Sequence, residues 1–477
     1  MVQCIADVIM LIYLICWRLL WSVLIQSWYV PDETWQSVEV SHNIVWGRGH
    51  LTWEHDEAIR SSLLSLPYTI IFFILSALHL DYQWLVVLTP KLFAALLTAV
   101  GDYSLYNSVK RRDGGECASW FLMLTQTNWF LLYSGSRTVV NTMETALFSL
   151  GLSLYPRSRY LMVVSVSVMM RPTLIIPWSP LLVQHLYSST LKRGVMKTVR
   201  MCVAPLIISV IVIVMDSLHY QRLTLTPLNF FRVNILHNLG SFYGTNPSYW
   251  YITNCLLPII GPLLPASLYY FITGHQTDNI ILTPVLASLS FFSLLEHKEM
   301  RFLQPVIPLI VYSGARTLSR WTRSHPSSAW FSLVCVLNLP LALYLSLVHQ
   351  RGVVDAALWL GQQETVSSAV FLMPCHSAPL YSHVHSDIQL QHLQCLPNFS
   401  NDSNYREEAD VFYDNPSESF LQSYSQFQCI VIFDSLYDQM REAFQLTGHS
   451  LKKSFFHTHF PEERVGSNVL ILCEELK

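Results

Sequence analysis

The segment Val30-Pro31-Asp32-Glu33-Thr34-Trp35-Gln36-Ser37-Val38-Glu39-Val40-Ser41-His42 sets carboxylates, an indole and an imidazole directly after an apolar run. The polar stretch continues through Gly49-His50-Leu51-Thr52-Trp53-Glu54-His55-Asp56-Glu57-Ala58-Ile59-Arg60-Ser61. A carboxylate held at a bilayer surface can take the proton of a sugar hydroxyl, tryptophans can lie on sugar rings, and an arginine can meet a phosphate. That mixture suits a lipid-borne sugar. A second constellation, Glu296-His297-Lys298-Glu299-Met300-Arg301-Phe302, lies between apolar runs at 280–295 and 302–317. Charge this dense at a membrane boundary is expensive. Either it is a solvated turn, or Lys298, Arg301 and His297 form an anion site that Glu299 orients. A base in one loop and cations in the other would activate a hydroxyl and stabilise a departing phosphate.

Within the first loop only one of two adjacent acids can face an acceptor hydroxyl. Asp32 is the first choice for the base and Glu33 the second, the other being left to cap the following helix. Glu39 and His42 lie three apart, hence on one helical face, and are expected to line the acceptor path. Trp35, Trp46 and Trp53 suit either sugar stacking or the interfacial aromatic belt. Arg60 is a second phosphate candidate. Arg18 fits a phosphate contact less well than an inward-facing or snorkelling arginine near a helix end, and Arg137 and Arg171-Pro172-Thr173 read as ion-pair or turn residues of the bundle interior.

The elements that must hold these residues are transmembrane helices. The chain of 477 residues is 52% hydrophobic and 13% charged, against about 25% charged in soluble domains. A net charge of −3 leaves no basic field for nucleic acid. Residues 5–28 read as a retained signal anchor. Further apolar stretches fall at 67–80, 88–108, 117–134, 138–155, 160–184, 201–217, 252–273, 280–295, 302–317 and 329–348. Basic clusters at 110–112, 157–159, 192–200 and 316–323 belong in the cytosol by the positive-inside rule. Residues 29–66, 134–138, 218–251, 296–301 and everything after 349 are then lumenal. Parity requires that one stretch before residue 110 not cross fully, and the short 67–80 stretch is expected to be juxtamembrane or re-entrant.

The fold class is thus an α-helical polytopic membrane protein, with a membrane domain over 1–349 and a small lumenal C-terminal α/β domain over 350–477. In that tail 429–433, 454–456 and 469–472 read as strands and 436–444 as a helix. Asn398 and Asn401 head glycosylation sequons. Cys375, Cys395, Cys429 and Cys473 stand where an oxidising lumen can pair them, with connectivity open. The tail histidines lack a ligand pattern and Asp32-Glu33 is not a DxD motif, so no metal is expected.

The motifs Pro31-Asp32-Glu33-x-Trp35-Gln36-Ser37-x-Glu39-Val40-x-His42, Gly49-x-Leu51-Thr52-Trp53-Glu54, Ile59-Arg60-Ser61 and His297-Lys298-Glu299-x-Arg301-Phe302 resemble glycosyltransferase family 22. The resemblance implies a GT-C-like transmembrane bundle, dolichol-phosphate mannose as donor, no cofactor, and an inverting displacement in which a single base suffices. The tail segments 374–385, 408–413 and 455–462 are similar to those members of the family that add the third, α1,2-linked mannose to the glycosylphosphatidylinositol (GPI) lipid precursor in the endoplasmic reticulum membrane. His55 and Met300 depart from the pattern, standing where aromatic residues are usual. Two rivals remain: a mannosyltransferase of the dolichol-linked N-glycan precursor, and a lipid or solute transporter, for which no internal repeat speaks.

Overall fold

The computed structural model describes residues 2–237, 239–273, 279–399, 402 and 405–474. Five helices are long and apolar enough to cross a bilayer, over Ile5–Leu24, Gln83–Thr127, Val195–His219, Tyr251–Thr273 and Ser328–Gly361, and shorter apolar helices fill Ser62–Ala77, Tyr160–Met170 and Ile280–Leu294. The helix Ser62–Ala77 has 16 residues, or about 24 Å of rise, less than the roughly 30 Å hydrocarbon core. Ile207, Val210, Ile211 and Val214 on one helix and Val336 and Leu337 on another leave their side chains exposed, as lipid-facing surfaces do.

Proline and glycine decide where the apolar runs divide. Gly114, with φ of +86°, joins two helical segments inside Gln83–Thr127, a backbone that side chains resist. The run 160–184 is cut by Pro172 into the helices Tyr160–Met170 and Ile175–Arg193, since proline removes a helical donor. Pro305 lies in a 3-10 turn, Met300–Val306, ahead of the helix Ile307–Thr322. That irregular turn carries Arg301.

The chain forms two compact units. The first comprises Met1–Ser22, Glu57–Leu64 and Lys91–Ala342, the second Val23–Asp56, Ser65–Pro90 and Leu343–Lys477. Composition changes at 350, whereas compactness puts much of the first polar loop in the same unit as the tail.

The second unit is built on a mixed sheet of β1 (Ser368–Phe371), β2 (Gln389–His392), β3 (Cys429–Phe433), β4 (His449–Phe456) and β5 (Asn468–Glu474), ordered β2-β1-β3-β5-β4. β1 pairs in parallel with β2 and β3, while β5 runs antiparallel to β3 and β4. Alternation sends Ala369, Phe371, Cys429, Val431 and Phe433 to one face, against Trp28, Trp35, Val353 and Leu360. Val370, Ile430 and Ile432 go to the other, against Phe412, Phe420, Met440 and Phe444. The strands β1 and β2 were not anticipated. β1 is buried on both faces and so lacks the apolar-polar alternation of a half-exposed strand, and β2 is a polar edge. Disulfides join Cys375 to Cys395 and Cys429 to Cys473.

Gly361 ends the helix Gly352–Gly361 against the segment 383–384. A Cβ there would run into the Val384 carbonyl and the Gln83 amide, which itself donates to His383 O at 2.8 Å and Leu358 O at 3.0 Å. Gly361→Ala is expected to cost about 1–3 kcal/mol from overpacking, plus part of those hydrogen bonds. Thermal unfolding in detergent, compared with wild type, checks this.

Candidate active site

In the second unit the head motif starts with a 3-10 turn, Pro31–Glu33, with proline at its first position and Asp32 and Glu33 in its only turn. Asp32 is half-buried, and Glu33 is 4% exposed and lies within electrostatic reach of Tyr68. Trp35 follows, donating from its indole to Ala378 O at 3.1 Å. Its ring meets His376 at 4.6 Å and His392 at 4.9 Å, both edge-on, with His50 at 6.4 Å. Trp35 thus stands in an imidazole cage made by head and tail.

The helix Val38–Trp46 buries its polar residues. Glu39 is 1% exposed, and its oxygens accept from Tyr381 N at 3.0 Å and Ser382 N at 2.9 Å, capping the short tail helix Tyr381–Val384. Burial pushes the Glu39 carboxyl up, against these backbone donors. His42, one turn on, places Nε2 at 2.8 Å from His385 Nδ1 and Nδ1 against Arg48 O. The two residues share a face, as their spacing requires, but that face clasps the tail. Trp53 is 8% exposed and packs on Phe399 at 5.6 Å. Beside it the sequon residue Asn398 donates to Asp402 O at 2.7 Å. Asn401 lies outside the described residues.

Burial holds the imidazoles near Trp35 neutral. It pushes His376 down to about 4 against the attraction of Asp32, His392 down to about 3, and His50 down as well. Their unfolded value is near 6.5. Groups lowered on folding stabilise the fold above the unfolded value and destabilise it as pH falls through 6.5 toward 4. The unfolding temperature of the purified protein in detergent is expected to drop between pH 7 and pH 5, and to drop less in His392→Gln. A temperature flat across that range would contradict the assignment.

In the first unit Glu299 is gripped by Arg301, with Nε to Oε2 at 2.6 Å and Nη2 to Oε1 at 2.5 Å, and by His297 Nε2 at 3.1 Å. Burial pushes the Glu299 carboxyl up, but Arg301 and His297 bring it well below the ordinary carboxylate range. Lys298 is 4% exposed, donates to Asn246 O at 2.8 Å, and also contacts Leu295 O. The turn packs against the helix Val140–Leu154, which supplies buried Glu144. That carboxylate accepts from Asn141 at 2.6 Å and Thr173 at 3.2 Å, pairs with Arg171 at 3.6 Å, and feels the charge of Arg301.

Arg60 takes other neighbours: its guanidinium lies 5.8 Å from the Phe230 ring, and its carbonyl accepts from Tyr220 at 2.6 Å. The loop is pinned by fully buried Asp216, which accepts from Ser61 and Ser62 hydroxyls at 2.9 and 2.7 Å, Ser62 N at 2.8 Å and Thr226 at 2.6 Å. Arg18 pairs with Asp102 at 2.8 Å and donates to Leu131 O at 2.7 Å. Arg137 donates to Tyr133 O at 2.9 Å. Glu144 and Asp216 were not anticipated as site residues, although a lone acid in an apolar run is by itself a signal of a buried partner.

Among the described residues one set of atoms reaches metal-ligand spacing, Cys375, Cys395 and Glu407. The two sulfurs are joined to each other, which takes away their capacity to ligate.

Residues 9–385 match the Alg9-like mannosyltransferase family. The GPI alpha-1,2-mannosyltransferase 3 of Danio rerio is 35% identical over 96% of this chain and 89% of its own length. That of Homo sapiens is 34% identical over 99% and 88%. Among solved structures, ArnT from Cupriavidus metallidurans bound to undecaprenyl phosphate superposes with a TM-score of 0.61, at 12% identity, over 98% of this chain and 97% of that one. This likeness concerns the fold, the GT-C architecture of a multi-pass membrane protein. With the head motifs, the near-full-length similarity and the fold in agreement, the chain belongs to the Alg9-like mannosyltransferase family.

Proposed function

We propose that this enzyme transfers the third, α1,2-linked mannose from dolichol-phosphate mannose to the GPI lipid precursor on the lumenal side of the endoplasmic reticulum membrane. The observation that carries the acceptor is similarity to GPI alpha-1,2-mannosyltransferases 3 that runs through the tail as well as the membrane part. Glu39, Trp35 and His42 tie head motif to tail within one unit, so acceptor selection by the tail and chemistry at the head are compatible roles.

In this reading the acceptor hydroxyl oxygen attacks the mannose anomeric carbon, the bond to the phosphate oxygen breaks, and dolichyl phosphate leaves with the electron pair. Configuration inverts. Asp32 receives the hydroxyl proton, and Arg301 and His297, ordered by Glu299, stabilise the phosphate together with Lys298. Arg60 is a further phosphate contact, Trp53 faces sugar, and Glu39 and His42 hold the acceptor wall. No metal enters the scheme, because fixed cations supply the charge. The first loop, 296–301 and the tail face the lumen by the positive-inside rule.

The test is rescue of cells lacking GPI alpha-1,2-mannosyltransferase 3. Expression of this chain is expected to restore GPI-anchored protein to the surface and to consume the two-mannose GPI intermediate. A well-expressed chain that leaves the intermediate in place would move the acceptor to the N-glycan precursor.

A further inference from the structure

Two apolar helices close level with each other, at Leu24 and Leu347. Just past their ends Gln26 N donates to Ser346 O at 2.8 Å and Ser27 Oγ to Leu345 O at 2.6 Å. Val23, Leu341 and Leu343 still expose apolar side chains there, whereas the chain turns polar at His349-Gln350-Arg351. The edge of the hydrocarbon therefore lies near Tyr344, at the level where interfacial aromatic side chains collect. Onto that tyrosine the fold brings the end of β4 and the loop after it. His459 Nδ1 lies 2.8 Å from the Tyr344 hydroxyl, with the rings 5.8 Å apart. His457 O accepts from Gln350 N at 2.7 Å, and Thr458 Oγ1 lies 3.2 Å from His349 Nδ1. Gly352 permits the approach, since a Cβ there would stand 2.9 Å from Phe456 O. Phe460 N donates back to Thr458 Oγ1 at 3.0 Å.

The loop is thus fixed to the exit of a span, yet its two largest apolar side chains lie outside the core. Phe460 is 69% exposed, and Phe456, packed on His459 at 4.6 Å, is 41% exposed. Aromatic rings held in place beside the end of a membrane helix fit a lipid surface better than water. We infer that Phe456–Phe460 is a membrane-surface contact: the Phe460 ring, with Phe456 beside it, enters the boundary between headgroups and acyl chains in the leaflet where these two helices end. The ligand is a phospholipid leaflet, met by apolar area and by the amphipathic rings of His459 and Tyr344. Exposed Glu462 and Glu463 follow directly, and carboxylates that stay in water keep the contact shallow. Lipid then holds the far edge of the tail sheet at a fixed height over the bilayer, a role separate from the choice of acceptor.

The test uses the full chain in phosphatidylcholine nanodiscs. A photoreactive benzophenone amino acid replaces Phe460 or, separately, Leu446, which is also exposed but sits on the helix leading into the opposite end of β4. After illumination, mass spectrometry is expected to find about tenfold more phospholipid adduct at position 460 than at 446. Equal adduct yields at the two positions would overturn the proposal, as would adducts at 460 confined to water or to a second copy of the chain. A nitroxide on Phe460→Cys, read as the difference from the wild-type chain carrying the same label, gives an independent measure of depth. Collisions with oxygen exceeding those with a water-soluble nickel chelate support insertion, and the reverse order refutes it.

Discussion

Replacing Asp32 by asparagine is expected to abolish mannose transfer, a fall of about 10²–10⁴-fold, with the amount of folded protein unchanged. Asp32 occupies the middle of the Pro31–Glu33 turn and is only half-buried, so an amide of the same shape fits there. Its neighbour Glu33 is 4% exposed, the placement of a residue that supports the turn from inside. Glu33→Gln is accordingly expected to reduce the yield of folded protein more than Asp32→Asn does, and to lower turnover per folded molecule less. Transfer per folded molecule, measured for both variants, separates the two acids. Unaltered turnover in Asp32→Asn would sink the assignment of that base.

Removal of Arg301 is the second large effect. Its guanidinium makes two short bonds to Glu299 and acts on Glu144 as well, so Arg301→Ala strips a charge partner from two acids at once. Removing one preorganised donor from a site of developing charge costs roughly 10²–10³-fold in turnover, and a loss of that size is expected in donor kcat/KM. Arg301→Lys keeps the charge but loses the two-pronged grip and is expected to fall between. The triad also has a pH window. Glu299, held below its unfolded value of 4.5, contributes above that value and loses its contribution as pH falls. His297 is pulled down by burial but raised further by Glu299, so its contribution is full below 6.5 and fades as pH rises through its raised value. The unfolding temperature measured from about pH 3 to 9 in wild type and Glu299→Gln checks this window, and an unchanged donor kcat/KM in Arg301→Ala would contradict the phosphate role of this turn.

Much of this architecture was legible residue by residue. Apolar run length gave the membrane helices, because no other element satisfies its backbone within lipid. The strands at 429–433 and 469–472 were visible as short apolar runs in a polar tail. The density of charge at 296–301 was visible because ionised groups at a membrane boundary require a partner or a task. The four cysteines of the tail were separable from the buried thiols by their place in the polar segment after 349, but their pairing waited for the tertiary structure, where sheet register sets Cys429 opposite Cys473.

What the chain order could not disclose is who meets whom. Glu39 and His42 show their common face through helical periodicity, yet only the fold turns that face onto Ser382 and His385, more than three hundred residues away. Asp216 and Glu144 show in the sequence only as lone acids in apolar runs, and their partners are known from the groups the fold brings against them. Periodicity, composition and spacing are local properties and are written in the sequence of residue types. The partner of a buried charge is decided by long-range packing, because a carboxylate or imidazole removed from water must be satisfied by whichever donors the fold delivers.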